Sequence, residues 1–152
     1  MLYVVRHAKA GSRSEWVGDD RPRPLTDKGR AQAALLADLL GPVATGELVS
    51  SPYLRCVQTI EPLGERVGRP VRTDERLAEE TGFAGALALL GELPDGSVLC
   101  SHGDVIPATI GALQRRGCAI LTEPDWRKAS TWAITRTADG EFTEATCLPP
   151  PE

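Results

Sequence analysis

The sequence has no long apolar run and no closely spaced cysteines. Its first apolar segment, Met1 to Val5, is interrupted by Arg6, so it is too short for a secretory signal or a membrane-spanning helix. The cysteines have neither a C-x-x-C pair nor zinc-ligand spacing: they are Cys56, Cys100, Cys118 and Cys147. We therefore expect a cytoplasmic protein with reduced, mostly buried thiols, no membrane partner, and no metal or other cofactor.

An overall excess of positive charge is also lacking. The 152 residues carry a formal net charge of −4, whereas nucleic-acid-binding domains are usually basic, so no nucleic acid polymer is expected as a partner. The charge is uneven, because residues 6–30 include seven basic and four acidic side chains. Such a segment suits a small anionic ligand, although solvated surface charge explains it equally well before any motif is considered.

The length and the 41% hydrophobic content fit one domain with a core of ordinary size. We expect residues 1–148 to form this domain and residues 149–152 a disordered tail. Short β-branched runs predict strands, and amphipathic segments between them predict helices. Because the two alternate, we predict an α/β fold, a three-layer αβα sandwich with helices on both faces of a mostly parallel sheet.

The predicted elements follow from local patterns. Strands are predicted at 2–5, 47–50, 71–73, 97–100, 131–135 and 142–146, and a long loop at 8–24. Thr26 is predicted to cap a helix that ends before Gly41, and Asp104 to cap a later one. Ser51 and Pro52 are predicted to open a helix that runs to about residue 67, and 83–90 is predicted to form a short helix.

The only two histidines, His7 and His102, occupy similar positions in the predicted fold. Each follows a predicted strand and precedes a small residue. Ligands of open α/β sheets bind beyond the carboxyl ends of the strands. A single histidine in such a place is more often structural than catalytic, but the shared placement of the two favours a functional site.

Four segments, in order, resemble motifs of the histidine phosphatase superfamily, which includes the cofactor-dependent phosphoglycerate mutases. Val5 to Lys9 is similar to its Arg-His-Gly motif, and Ser101 to Gly103 to its second histidine motif. Leu25 to Ala33 and Ser51 to Thr59 match the two helical segments between them. The resemblance extends from Met1 to about Leu113, and it implies a phosphoglycerate mutase-like fold.

The resemblance also implies a mechanism. His7 is expected to attack phosphorus and form a phosphohistidine, while Arg6, Arg55 and His102 hold the phosphate oxygens. Arg13 is expected to be a further phosphate donor. Guanidinium groups suit this role, since they present planar and permanently charged donors to phosphate oxygens. No metal is expected to take part.

The sequence departs from the family pattern at Ala8, where glycine is usual, and we expect the extra methyl group to be tolerated. The segment 76–82 is similar to the one that supplies a general-acid glutamate. Glu79 is the better aligned candidate, and Glu80 is a possible substitute. The short chain leaves little room for the insertions that close over the substrate in mutases, which implies an open pocket.

Several activities remain compatible with these motifs. The Arg-His-Ala-Lys opening and the short length resemble the small bacterial phosphohistidine phosphatases, so we favour hydrolysis of a phosphomonoester or of phosphohistidine. The partner would be a small phosphorylated substrate or a phosphorylated protein side chain. The alternatives are a phosphatase of nucleotide or sugar phosphates, a phosphoglycerate mutase, and a non-catalytic phosphate-binding module.

Overall fold

Seven strands and four α-helices alternate along most of the chain, in a computed structural model that describes all 152 residues. In chain order the elements are β1 (Leu2–Arg6), α1 (Asp27–Leu40), β2 (Leu48–Ser50), α2 (Leu54–Val67), β3 (Val71–Thr73), a 3-10 turn (Glu75–Leu77), α3 (Ala84–Glu92), β4 (Val98–Ser101), α4 (Val105–Arg115), β5 (Ala119–Ile120), β6 (Thr131–Arg136) and β7 (Phe142–Leu148). The six predicted strands are confirmed. The two-residue strand β5 was not predicted, because so short a segment shows no alternation.

All seven strands form one sheet, in the order β3-β2-β4-β1-β6-β7-β5. The pairs β1 with β4, β4 with β2, β2 with β3, and β5 with β7 are parallel, whereas β6 is antiparallel to both of its neighbours. The predicted α/β class with a mostly parallel sheet is confirmed. Because parallel strands end at the same edge, β2, β4 and β1 bring the residues that follow them to one place.

The sheet separates two apolar clusters. Leu2 and Val4 of β1 belong to a cluster of 18 buried residues that includes the inner faces of α3 and α4. Tyr3 and Val5 point the other way, into a cluster of 16 buried residues with α1 and α2. Each fully buried aliphatic side chain contributes roughly 1.5 to 3 kcal/mol, so both helical layers are held by burial. The predicted three-layer sandwich is therefore confirmed. None of its helices has the length and apolar character needed to cross a membrane.

The start of α1 confirms one predicted cap. The hydroxyl oxygen of Thr26 accepts a hydrogen bond from the backbone N–H of Gly29 at 3.1 Å. A side chain at Gly29 would bring a Cβ atom within 2.0 Å of the carbonyl oxygen of Lys9. Glycine therefore allows α1 to pack directly against the loop that follows β1.

The predicted start of α2 is wrong, whereas the predicted start of α4 is correct but lacks the expected capping bond. Helix α2 begins at Leu54, after Tyr53, which makes no side-chain cap; Ser51 and Pro52 lie before it. Asp104 does precede α4, but its carboxylate makes no capping bond. Instead, the Asp104 carboxylate accepts a hydrogen bond from the backbone N–H of Glu80 at 2.8 Å. The polar side chains of Ser51 and Asp104 are thus bonded outside their own helices.

Candidate active site

The two histidines meet at the carboxyl ends of the neighbouring strands β1 and β4. Arg6 and Ser101 are paired in the ladder between these strands, and the backbone N–H of His7 continues it by donating to the carbonyl of Ser101 at 3.1 Å. The His7 and His102 rings lie edge to face, with centroids 5.5 Å apart. Both side chains are buried, so the backbone ladder sets their separation.

The hydrogen bonding of His7 determines which ring nitrogen is free. Its Nδ1 lies 2.8 Å from the carbonyl oxygen of Ala8; a carbonyl can only accept, so Nδ1 carries the proton and Nε2 keeps a lone pair. Burial, assisted by the positive charges of Arg55 and Arg6, lowers the pKa of His7 to about 3. The backbone N–H of Ala8 in turn donates to the hydroxyl of Thr59 at 2.9 Å. His7 is therefore a neutral, fixed imidazole near pH 7.

Ala8 points away from the site. Its side chain is fully buried and belongs to the apolar cluster beneath α1 and α2. The methyl group that replaces the usual glycine hydrogen thus packs in the core, and Ala8 does not line the cavity described below.

Arg55 of α2 is the most buried charged side chain of the site, with no exposed surface. Its Nη2 atom lies 2.7 Å from Oε1 of Glu79 and 3.0 Å from Oδ2 of Asp20, and its Nη1 donates to the Asp20 carbonyl. The guanidinium also lies over the Tyr53 ring, with its Cζ atom 4.8 Å from the ring centroid. Since an unpaired buried charge costs several kcal/mol, these partners make the burial of Arg55 possible. Its Nε has no partner.

Glu79 connects three of the predicted site residues. Its Oε1 accepts hydrogen bonds from Arg13 and from Arg55, both at 2.7 Å. The same oxygen lies 3.4 Å from Nδ1 of His102, without the alignment of a hydrogen bond, so this buried nitrogen has no bonded partner. Glu80, by contrast, is exposed and contributes only its backbone N–H to the contact with Asp104.

The Nε2 side of the His102 ring is held by residues before and at the start of α2. Its Nε2 lies 2.8 Å from the hydroxyl of Ser51 and 3.5 Å from the sulfur of Cys56. The Tyr53 ring packs edge-on against the imidazole, with centroids 4.7 Å apart. These contacts explain why Ser51 does not cap α2: its hydroxyl orients His102.

Arg6 crosses directly above Gly103. A Cβ atom at position 103 would lie 2.7 Å from Cζ of Arg6, so a side chain there would displace the guanidinium from this position. The Nη1 of Arg6 donates to the carbonyl of Trp126. Its Nε is buried and has no partner. A donor of this guanidinium therefore remains available beside His7.

An open cavity of about 670 Å³ lies over these residues, a size typical of small-molecule sites. Arg6, His7, Arg13 and Glu79 line it directly, whereas Arg55 and His102 lie behind them. The structure thus brings all six predicted site residues together. Further charged residues line the cavity: Lys9, Arg23, Glu80, Asp104 and Lys128. Nowhere in the chain do three or more His, Cys, Asp or Glu side chains form a group suited to a metal ion.

Two residues beside the site adopt the left-handed backbone conformation, although neither is glycine. They are Glu80 and Ala129, with φ angles of 67° and 70°. Such a conformation costs roughly 1 to 2 kcal/mol and is often found at functional sites. The N–H of Ala129 donates to the carbonyls of Arg6 and His7, at 3.1 and 3.2 Å. These bonds hold the loop before β6 against the end of β1.

Residues 2–83, more than half of the chain, match the sequence model of the histidine phosphatase superfamily (branch 1). The chain belongs to the histidine phosphatase superfamily.

Similar proteins include enzymes with different named substrates. The chain is 40% identical to an 8-oxo-(d)GTP phosphatase of Mycolicibacterium smegmatis over 99% of its own length and 48% of that protein. It is 38% identical to a glucosyl-3-phosphoglycerate phosphatase of Mycolicibacterium vanbaalenii, over 51% and 35% of the two chains. The chain thus spans about half the length, or less, of these relatives.

A solved structure covers nearly the whole fold. The protein histidine phosphatase SixA, in complex with tungstate, is 27% identical and superposes with a TM-score of 0.74, over 98% of this chain and 96% of that one. The superposition includes the segments beyond residue 83, where the match to the family ends. The phosphoglycerate mutase-like architecture predicted from the motifs is therefore confirmed for this chain.

Sequence reasoning missed several residues of the site. Asp20 and Arg23 lie in the long loop that follows β1; they are bonded to each other at 2.8 Å, and Arg23 is buried. The cationic charge of this loop was the only signal for them. Ser51 lies in a recognised motif, but the pattern there predicted a cap. Lys128 and Trp126 come from a segment with no motif, and nothing in the sequence indicated their place.

Proposed function

We propose that this histidine phosphatase hydrolyses phosphate esters through a phosphohistidine on Nε2 of His7, without a metal ion. The observation that carries the proposal is a neutral imidazole whose Nδ1 proton is bound to a backbone carbonyl, which leaves the Nε2 lone pair free beside guanidinium groups. A nucleophile with its lone pair exposed and donors around the target oxygens are the main requirements of phosphoryl transfer.

In the first step, Nε2 of His7 forms a bond to phosphorus as the bond from phosphorus to the ester oxygen breaks. Arg6, Arg55 and His102 stabilise the equatorial oxygens, because the unpartnered Nε–H groups of the two arginines and the unpartnered Nδ1 of His102, in its protonated form, gain charged acceptors there. Arg13 adds a more exposed donor. In the second step, water attacks the phosphohistidine, and inorganic phosphate and the neutral imidazole are released.

Glu79 is proposed as the acid that protonates the leaving oxygen and, in the second step, takes a proton from water. In the free protein its carboxylate is bound to Arg13 and Arg55. A bound phosphate monoanion competes for these guanidinium groups and releases Glu79 toward the leaving group. The released carboxylate takes up the proton of the phosphate monoanion and passes it to the leaving oxygen. Glu80 is less suitable, because its side chain is exposed and has no contact with the arginines.

The open cavity supports a small phosphorylated molecule or a phosphorylated protein side chain as substrate. The likeness to SixA supports phosphohistidine, whereas the 40% identical relative supports a nucleotide. A mutase is disfavoured by the lack of closing insertions, and a silent binding module by the complete set of reactive residues. We further propose that residues 1–148 form the catalytic unit and that it acts in the cytoplasm, in keeping with four free, buried cysteines.

The proposal is tested by hydrolysis of p-nitrophenyl phosphate in the presence of EDTA, with His7→Ala as the comparison. We expect activity to persist in EDTA and to fall at least about a thousandfold in the variant, as for other removed nucleophiles. Mass spectrometry of rapidly quenched enzyme should detect one added phosphoryl group. Strict metal dependence, or an active His7→Ala variant, would contradict the mechanism.

A further inference from the structure

A second cavity, of about 730 Å³, adjoins the first. We call it the side cavity. It lies between the start of α1, the loop before β6 and the last three residues of the chain. Arg6, Lys9 and Lys128 line both cavities, so a single ligand can extend from His7 into the side cavity.

The side cavity is strongly cationic. Beyond the three shared residues it has Lys28 and Arg127, and its only acidic residue is Glu152. Arg127 is paired with Asp125 at 2.6 Å, but Lys9, Lys28 and Lys128 form no ion pair with any carboxylate, although the chain carries 21 acidic residues. Unneutralised positive charge in a concave site attracts anions.

Lys128 is repelled by the other positively charged side chains around the two cavities. Partial burial first, and then the positive charges of Arg6, Arg23, Lys9 and Arg55, lower the pKa of its ammonium group. The next residue, Ala129, ties the loop to the end of β1 through its backbone N–H, which keeps Lys128 between the two cavities. A bound anion would relieve the repulsion among these groups.

The wall of the side cavity opposite the loop is partly apolar. Lys28, Ala31 and Leu35 lie on one side of α1, because they are spaced three and four residues apart. Pro150 and Pro151 complete the apolar lining, and both are half-buried. Such a surface receives the organic part of a ligand, while the lysines receive its charge.

From these features we infer that the side cavity binds the second phosphate group of a substrate that carries two, with its reacting phosphate at His7 and its organic body against α1. The inference rests on the proposed function of His7. A substrate with one phosphate leaves Lys28 without a partner and Arg127 with Asp125 alone. A phosphorylated protein side chain also brings a single phosphate, since its neighbouring backbone is uncharged.

The binding test uses the His7→Ala protein, which keeps the other charges and does not turn ligands over. Isothermal titration calorimetry compares adenosine diphosphate with adenosine monophosphate, and a hexose bisphosphate with the matching monophosphate. The first pair has adjacent phosphates and the second has separated ones. We expect the doubly phosphorylated member of at least one pair to bind tenfold or more tightly than its partner, and the ratio to fall as salt is raised.

Added substitutions test the named residues. Lys28→Ala and Arg127→Ala should each reduce the affinity ratio roughly three- to tenfold, as expected for a partly exposed charged contact. The matched control is Arg30→Ala, on the same helix but lining a different cavity, which should leave the ratio unchanged. Equal affinities within both pairs, or equal effects of Lys28→Ala and Arg30→Ala, would overturn the inference.

The two proposals fail in different measurements. Turnover of p-nitrophenyl phosphate by protein that retains His7 tests the proposed function alone, because this substrate has one phosphate. A protein that hydrolyses it but shows no preference for a second phosphate contradicts only the side-cavity assignment. Binding preference without turnover contradicts only the proposed mechanism.

Discussion

The fully buried guanidinium of Arg55 and the carboxylate of Glu79 form an ion pair of 2.7 Å, and the same carboxylate oxygen lies 3.4 Å from Nδ1 of His102. One donor of Arg13 and one of Arg55 are therefore occupied by a protein carboxylate in the free protein. In the proposed mechanism, phosphate binding and the release of Glu79 are one exchange, so the role of Glu79 depends on the substrate.

Glu79→Gln should slow the hydrolysis of alkyl phosphates at least tenfold more than that of p-nitrophenyl phosphate. Only the poorer alkoxide leaving group needs a proton in the transition state. Steady-state kcat/KM for the two substrate types measures the difference. Glu80→Gln is the control and should change neither rate by more than about twofold. Equal losses for both substrates in Glu79→Gln would instead indicate that Glu79 positions the arginines.

The pKa of His7, lowered to about 3, predicts a dependence of stability on pH. Between pH 6.5 and about 3 the unfolded chain binds a proton at this residue that the folded protein does not, so stability decreases as the pH falls. The free energy of unfolding should drop by about 1.4 kcal/mol per pH unit relative to His7→Asn, with no relative change above pH 6.5. Urea denaturation of both proteins from pH 7 to pH 4.5 measures it, and parallel curves would show that His7 is not buried in its neutral form.

Gly103→Ala should lower kcat/KM for p-nitrophenyl phosphate at least tenfold, because the added Cβ would lie 2.7 Å from the guanidinium carbon of Arg6 and displace this side chain. Displacements of about 1 Å in an active site have effects of this size. Gly91→Ala is the control, since no atom lies within 4 Å of its added Cβ, and it should keep full activity. Wild-type activity in Gly103→Ala would mean that Arg6 does not hold the phosphate from this position.

Asp20→Asn should destabilise the protein by roughly 1 to 3 kcal/mol, because it removes a charged partner of the buried Arg55. Inorganic phosphate should raise the melting temperature of this variant more than that of the wild type, since the anion replaces the lost charge. Thermal denaturation with and without phosphate measures both effects. Asp38→Asn breaks a more exposed ion pair with Arg66 and should cost about 0.5 kcal/mol or less. Similar phosphate shifts in all three proteins would contradict the exchange described above.

Local patterns were sufficient to predict the central part of the fold. The apolar run before His7 and the cap at Thr26 depend on neighbouring residues only, and both elements form where they were predicted. The start of α2 was predicted incorrectly for the opposite reason. Serine often caps helices, but the hydroxyl of Ser51 is bonded to His102, 51 positions away. No local sequence pattern contains that contact.

The contrast between local patterns and contacts of distant residues also applies to the site. The resemblance between motifs indicated Arg6, His7, Arg55 and His102, which the structure brings together at one sheet edge. It did not indicate that Glu79 would be bound to Arg13 and Arg55, because that depends on side-chain packing between distant loops. Lys128 could not be predicted at all, since its position depends on the left-handed backbone of Ala129, where a sequence pattern would lead one to expect glycine.

The register between β1 and β4 has a consequence for protein engineering. Because Arg6 is paired with Ser101, the residues after the two strands emerge side by side, and the distance between the imidazoles is a property of the ladder itself. A designed protein would need two adjacent parallel strands in this register, with glycine after the second histidine, to bring the pair together, and a hydroxyl in the place of Ser51 to orient the second ring. The three arginines, which come from β1, the loop after it and α2, would be the harder part to transplant.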